Sequence, residues 1–421
     1  MNRFLLVLML MIAAAGALAQ NAPATTPEPS PAERSIAEAQ KIIRENPAQY
    51  TGYNLLAGSL VRRARETSDA SYYAQAEVAV KTSLQLSPNN FETEKIRVAI
   101  LLGEYELPAA LDAAKELNRK VPDDVMVYGL LTDANAELGN YKDAETAAQW
   151  MLDLRPGNLP ALLRAAHLRE LFGEVEGSYQ LLDLAYQSTP PTETEERAWI
   201  LTQMGDLRLG SGNADAAEKF LRQALTVFPD YPLAVGELAT VRVAQKRYQE
   251  AVVLFRKRCD SAPRARNLYD LAEALRLAGH EDEARRTFAE FEAKALLESN
   301  KKDNSNRELV FYYADRAQQP AKALMVAQQE YSWRHDVYTL DAYAWALHVN
   351  GKDQEARKQI ETAIEVGIRD AKLFRHAGEI ALKSGDPEAA ERYLKQSAEL
   401  NSVDSEQVRK ALASLSQAGL K

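Results

Sequence analysis

Five histidines, His167, His280, His335, His348 and His376, and a single cysteine, Cys259, are the residues of this 421-residue chain best suited to metal ligation or nucleophilic attack. A helical zinc site needs two histidines one turn apart, usually with a glutamate beside them, and no HExxH or equivalent pair occurs. One cysteine excludes an intramolecular disulfide and a thiolate zinc cage, and Cys259 is expected to serve as a small core-facing residue. Phosphate-cradling and nucleophile-elbow motifs are also missing, so Gly210-Ser211-Gly212 reads as a turn between helices. These residues predict no catalytic site, cofactor or metal. With 51 basic and 60 acidic residues the net charge is −9, which argues against a nucleic-acid or anionic-membrane binder. Charge clusters such as Arg62-Arg63 with Arg65, and Arg256-Lys257-Arg258, are expected on solvated helix faces. At 46% hydrophobic and 26% charged, the composition is globular.

Positioning falls to short amphipathic helices. From Ser35 onward apolar residues recur at three- and four-residue spacing, with Gly or Pro closing segments of about a dozen residues. Self-comparison aligns Ala76, Ala110, Ala144, Ser178, Ala217, Ala251, Ala284, Ala323, Ala356 and Ala390 at a nearly constant interval of about 34 residues, lengthened twice. Pro88, Pro122, Pro156 and Pro190 keep the same beat, as do Pro229 and Pro263. Gly139, Gly173, Gly212, Gly279, Gly351 and Gly385 each lie five residues before an aligned small residue, where a turn between two helices falls. A small residue lets helices approach, glycine permits positive φ, and proline prevents continuation of a helix.

In these registers the chain resembles the tetratricopeptide repeat, a helix-turn-helix unit of about 34 residues. Tyr128, Leu131, Gly139, Tyr141, Ala144 and Pro156 fall at motif positions, as do Met204, Gly205, Gly212, Ala217, Ala224 and Pro229. The resemblance implies an all-α, right-handed superhelical solenoid of about ten repeats over residues 35–402. Stacked units share one core, because a single unit cannot bury its apolar face. Residues 403–421, with Val408, Leu412 and Leu415 on one face, are expected to form a capping helix. Departures are an insertion between Leu60 and Ala76 that lengthens the first turn, and the two longer intervals, with extra chain at residues 189–197 and 296–305, read as hinges between blocks. Gln318 also stands where glycine is usual. Arg169, Arg208 and Arg242 recur three after the small residue of the first helix. They either stack as a ladder against Glu170, Asp206 and Glu237 or extend their heads to solvent.

The resemblance further implies a concave groove lined by first helices. Spacing then places Tyr269, Glu273 and Arg276 on it, followed by Glu308, Tyr312 and Asp315, then Tyr338, Asp341, Trp345 and His348, and finally Lys372, Arg375 and Glu379. Rings among charges of both signs suit an extended peptide. Tyr312, Trp345 and Arg375 are large for positions that the core pattern leaves open. A lysine-asparagine clamp for a C-terminal carboxylate, known in some members of the family, is absent, since Lys95 is followed four residues on by Ala99.

The N-terminus reads as a secretory signal over residues 1–19, with Arg3, an apolar run from Phe4 to Ile12 and Ala17-Leu18-Ala19 before the cut. The run is too short for a spanning helix, and no cysteine follows to carry lipid. Residues 20–34, rich in proline, are expected to be a flexible leader. Together these features predict an exported, elongated, monomeric and non-catalytic scaffold, periplasmic or secreted, that holds a protein segment in its groove. The other reading is a glycan-binding accessory subunit, since rings beside carboxylates also suit sugars.

Overall fold

The computed structural model describes residues 28–262, 264–298, 305–400 and 405–417. The signal segment, leader residues 20–27, Pro263, most of the second long interval and the two ends of the proposed cap lie outside these. The described residues from Pro31 onward belong to one compact unit.

Among the described residues there are twenty-two α-helices, one π-helical turn and no strand. A leading helix, Pro31–Glu45, starts within the stretch read as leader. Ten helix pairs follow, from Tyr50–Thr67 with Ser71–Leu86 to Ala371–Lys383 with Pro387–Glu399, and Ser405–Gln417 comes last. The aligned small residues explain the pairing. All ten are buried, eight of them without exposed surface, because the two helices of each pair cross there. Second helices end at Leu86, Lys120, Leu154, Ser188 and Val227, each two residues before its proline. Asn90, Asp124 and Asn158, spaced one repeat apart, each cap a first helix by accepting a backbone N–H.

The turn inside each pair is left-handed at one residue. Gly139, Gly173, Gly212, Gly279, Gly351 and Gly385 have φ from +73° to +84°. Tyr105, Lys246 and Gln318 hold the same position in other units at φ near +60°, so the repeat keeps its turn even where its glycine is missing.

The array does not extend as an open rod. Its later pairs return against earlier ones along a seam. His335 N donates to Leu138 O at 3.1 Å, Val337 N to Tyr141 Oη at 2.8 Å, and Arg334 pairs with Glu137 at 2.9 Å. Ala136, Ala144, Leu168 and Leu171 share one core with Val337, Leu340, Ile368 and Leu373. A Cβ on Gly139 would lie 2.5 Å from the His335 backbone, and one on Gly173 2.4 Å from Gly367 O.

The insertion after Leu60 does not lengthen a turn, because Tyr50–Thr67 continues as an eighteen-residue helix. Residues 189–197 are pinned rather than hinged. Arg197 donates to the carbonyls of Tyr186 and Thr189, and Arg62 reaches Glu193 at 2.5 Å.

Candidate functional site

The first helices of the last five pairs, with Phe255 of one second helix and the final helix, line a cavity of about 720 Å³. It gathers nine of the residues placed by spacing: Tyr269, Glu273, Arg276, Asp315, Trp345, His348, Lys372, Arg375 and Glu379. Tyr338 lines a separate cavity of about 630 Å³. Glu308, Tyr312 and Asp341 line neither.

Burial corrects part of the reading. Trp345 is 5% exposed, Arg375 5%, Asp341 6% and Glu308 4%, so these are interior side chains. A first helix is flanked by the first helices of both neighbours, and the face opposite its own partner is therefore largely covered. Trp345 Nε1 donates to Asp315 Oδ1 of the preceding pair at 2.8 Å, and its ring stacks on His376 of the following pair at 4.1 Å. Tyr312 stacks on Phe288 and its hydroxyl reaches Glu292. The sizes of Trp345, Tyr312 and Arg375 are thus accounted for by packing.

Behind the lining residues Trp345 and Arg375 lies a relay centred on His376, which has no exposed surface. Arg375, which can only donate, meets Nε2 at 2.8 Å, so the ring proton resides on Nδ1 and is donated to Asp341 Oδ1 at 2.7 Å. Burial pushes the Asp341 carboxyl up to about 6, against the pull of Lys372, Arg307 and Arg375. Lys372 sits 3.2 Å from the Phe311 ring centre, and burial lowers its pKa against the support of Asp341 and Asp315.

Nearer the mouth, burial would raise Glu273, yet hydrogen bonds from Arg316 at 2.5 and 2.9 Å and from Arg276 at 2.9 Å hold it below the usual carboxylate range. Leu382, Lys383 and Lys410 complete the rim, and all three are exposed. Spacing missed Arg316 and the rim. Leu382 was within reach, since it stands one repeat after His348, whereas Lys410 belongs to the final helix and has no counterpart in the repeats.

The arginine series does not stack as a ladder. Arg169 pairs with Glu174 at 3.2 Å, Arg208 with Glu176 at 2.6 Å over the Tyr179 ring, and Arg242 forms a two-pronged pair with Glu218. Arg242 is 2% exposed, so neither sequence reading describes it. Of the acids proposed as partners, Glu170 and Asp206 line the 630 Å³ cavity instead. Burial raises the Asp206 pKa well above its ordinary range, and Glu237, Glu170 and Asp370 add to the rise. Lys95 is engaged by Asp124 at 2.8 Å and Glu92 at 3.0 Å. Cys259 donates to Asn267 O, and burial pushes its thiol up to about 11.

Ten helix pairs wound into a superhelix, with axial cavities lined mainly by first helices, define a helical-repeat solenoid. Within it, residues 208–258 match the model of a family described as tetratricopeptide repeat. The fold is similar to that of the human IFIT1 dimer with PPP-AAAA, at a TM-score of 0.50 and 13% identity over 87% of this chain and 86% of that one. Human IFIT1 with m7Gppp-AAAA gives 0.50 and 14% over 87% and 85%. PilW, a type IV pilus biogenesis factor, gives 0.40 and 16% over 49% of this chain and 94% of that one. The two IFIT1 likenesses speak to the fold alone. Comparison with curated proteins finds no match. Among the described residues, no helix is long and apolar enough to cross a membrane, and no group of three or more acidic, histidine or cysteine side chains could hold a metal.

Proposed function

We propose that this protein is an exported, non-catalytic scaffold that holds a segment of a partner protein in the axial cavity of its C-terminal half. The observation that carries the reading is the 720 Å³ cavity with ring and aliphatic walls and charges of both signs at its mouth. Such a surface gives contact area from apolar groups and register from charges. Its prearranged ion pairs, Arg316 and Arg276 on Glu273, limit the ordering that binding would require. A nucleic-acid strand, such as the PPP-AAAA seen with human IFIT1, suits the 630 Å³ cavity poorly, because its phosphates would meet Glu170, Asp206 and Asp370.

Trp345 is unsuitable as a probe of binding, since its removal would empty part of the core. Leu382, 37% exposed at the rim, is the better position. A photo-crosslinking residue at position 382 is expected to capture a discrete polypeptide from the native exported fraction. The same residue in place of Val253, 65% exposed on a second helix, should capture far less. Equal capture at both positions would remove the cavity from the reading. Retention on polysaccharide without polypeptide capture would replace the protein partner with a glycan.

A further inference from the structure

The 720 Å³ cavity is unbalanced in charge. Six cationic side chains line it against four carboxylates, although the whole chain carries −9. Each of the four acids already accepts a hydrogen bond. Arg316 and Arg276 hold Glu273, Glu379 accepts from Arg375 at 2.7 Å, Asp270 from Arg258 at 3.2 Å, and Asp315 from Trp345 Nε1. These bonds occupy all three lining arginines and leave the three lysines.

Lys372 has a ring and no anion. Its Nζ lies over Phe311 and retains accessible surface, and among the described residues no carboxylate stands within ion-pair distance of it. Burial disfavours its charged form, and the more distant Asp341 and Asp315 only partly restore it. Lys383, exposed at the other end of the same helix, has no ion pair among the described residues either. Lys410 meets Glu406 in a pair whose members are both exposed, so that pair is worth little.

Position specifies the kind of anion. Lys372 and Lys383 both belong to Ala371–Lys383, and eleven residues make about three full turns, so the two lie on one face about 16 Å apart along the axis. No single carboxylate spans that distance. Two acidic side chains of an extended segment do, at about 3.3 Å per residue, when about four to six residues separate them. Val243, Phe255, Leu277 and Leu382 add apolar wall for the residues between. A strand charged at every unit would instead press anions on Glu273 and Glu379.

We infer that the segment held in this cavity carries two acidic side chains with apolar residues between them, one meeting Lys372 and the other Lys383. The inference rests on the reading of the cavity as a protein-binding site and adds the chemistry of the segment.

The probe is N-acetyl-Glu-Ala-Leu-Leu-Ala-Glu amide, titrated calorimetrically into the full chain at about 0.15 M salt, where the field of the distant charges is screened. It is expected to bind about tenfold or more tighter than its twin with glutamine at both ends. Lys383→Gln, at an exposed position, should weaken probe binding by about fivefold or more, and Lys372→Met, which keeps an apolar stem over Phe311, by at least as much. Lys358→Gln, the same charge change at an exposed site on a second helix, should weaken it less than about twofold. Equal losses at Lys383 and Lys358, a loss at Lys383 with none at Lys372, or no preference for glutamate would overturn the proposal. Zero-length carbodiimide coupling of the probe to the unaltered protein gives a reading that does not depend on variants. Coupling should fall on Lys372 and Lys383, and coupling spread over exposed lysines would count against the cavity. A glutamine twin with a free C-terminal carboxylate that bound as tightly as the probe would make the ligand a chain end, and tighter binding of hexa-adenylate would make it a nucleic acid. Either result overturns the side-chain assignment. Polypeptide capture at position 382 is measured separately, so a failure here with capture intact removes the acidic preference and leaves the scaffold.

Discussion

Six glycines make the same left-handed turn, yet they divide by what lies next to them. Gly139, Gly173 and Gly212, in the earlier pairs, sit against the backbone of His335, Gly367 and Glu399, whereas Gly279, Gly351 and Gly385, in the later pairs, have open space where a Cβ would be. Backbone conformation alone requires glycine in the second group. In the first group, conformation and the seam both require it. One sequence signal therefore conceals two unequal constraints.

The sharpest way to break this comparison is to add one methyl group in each group. Gly139→Ala combines a left-handed φ, worth about 1–2 kcal/mol, with a backbone clash of about 1–3 kcal/mol, so a loss of about 3 kcal/mol or more is expected. Gly351→Ala should lose only the conformational part, about 1–2 kcal/mol, in the same thermal melts followed by circular dichroism. Equal losses would mean that the seam contributes nothing at Gly139. A smaller change of opposite sign is expected at Ser178, five residues after Gly173. Its buried Oγ has no hydrogen-bond partner among the described residues, and alanine fills this position in the other nine units. Ser178→Ala should stabilise the protein by about 1 kcal/mol, and a loss in denaturant titration would mean that the hydroxyl is satisfied in solution. The smallest expected effect is at Gln318, in the half whose glycines face open space. Gln318→Gly relieves φ +53° at the cost of chain entropy, for a net gain of about 0.5 kcal/mol. A loss there would show that the glutamine side chain supports its own turn.

Much of this fold could be read from spacing because the repeat is local. The ten small residues, the proline beat and the turn glycines each report on contacts within one repeat length, and all fell in register. The asparagine and aspartate caps at 90, 124 and 158 had the same period and went unread. The seam was not legible, because its partners depend on small rotations summed over several pairs, which no single repeat encodes. The groove was half legible for a related reason. Helical spacing identified the face of Val337–Val349 that points away from its own second helix, but whether that face meets water or the neighbouring first helices depends on how tightly the superhelix winds. Trp345 and Asp341 were therefore placed on the right face, with its exposure overestimated.

The seam also imposes an order in time. Contacts within a pair close short loops and form at little entropic cost, whereas Arg334 must find Glu137 across 197 residues. During synthesis from the N-terminus, the early pairs are complete while the residues that will cover Ala136, Leu168 and Leu171 have yet to leave the ribosome. Until residues 335–373 arrive, that apolar strip faces water, and the half-made chain is then most open to aggregation and to capture by chaperones. The seam is thus the last part of the solenoid to form, and a chain cut short before Arg334 would keep its helices while lacking the surface that closes over them.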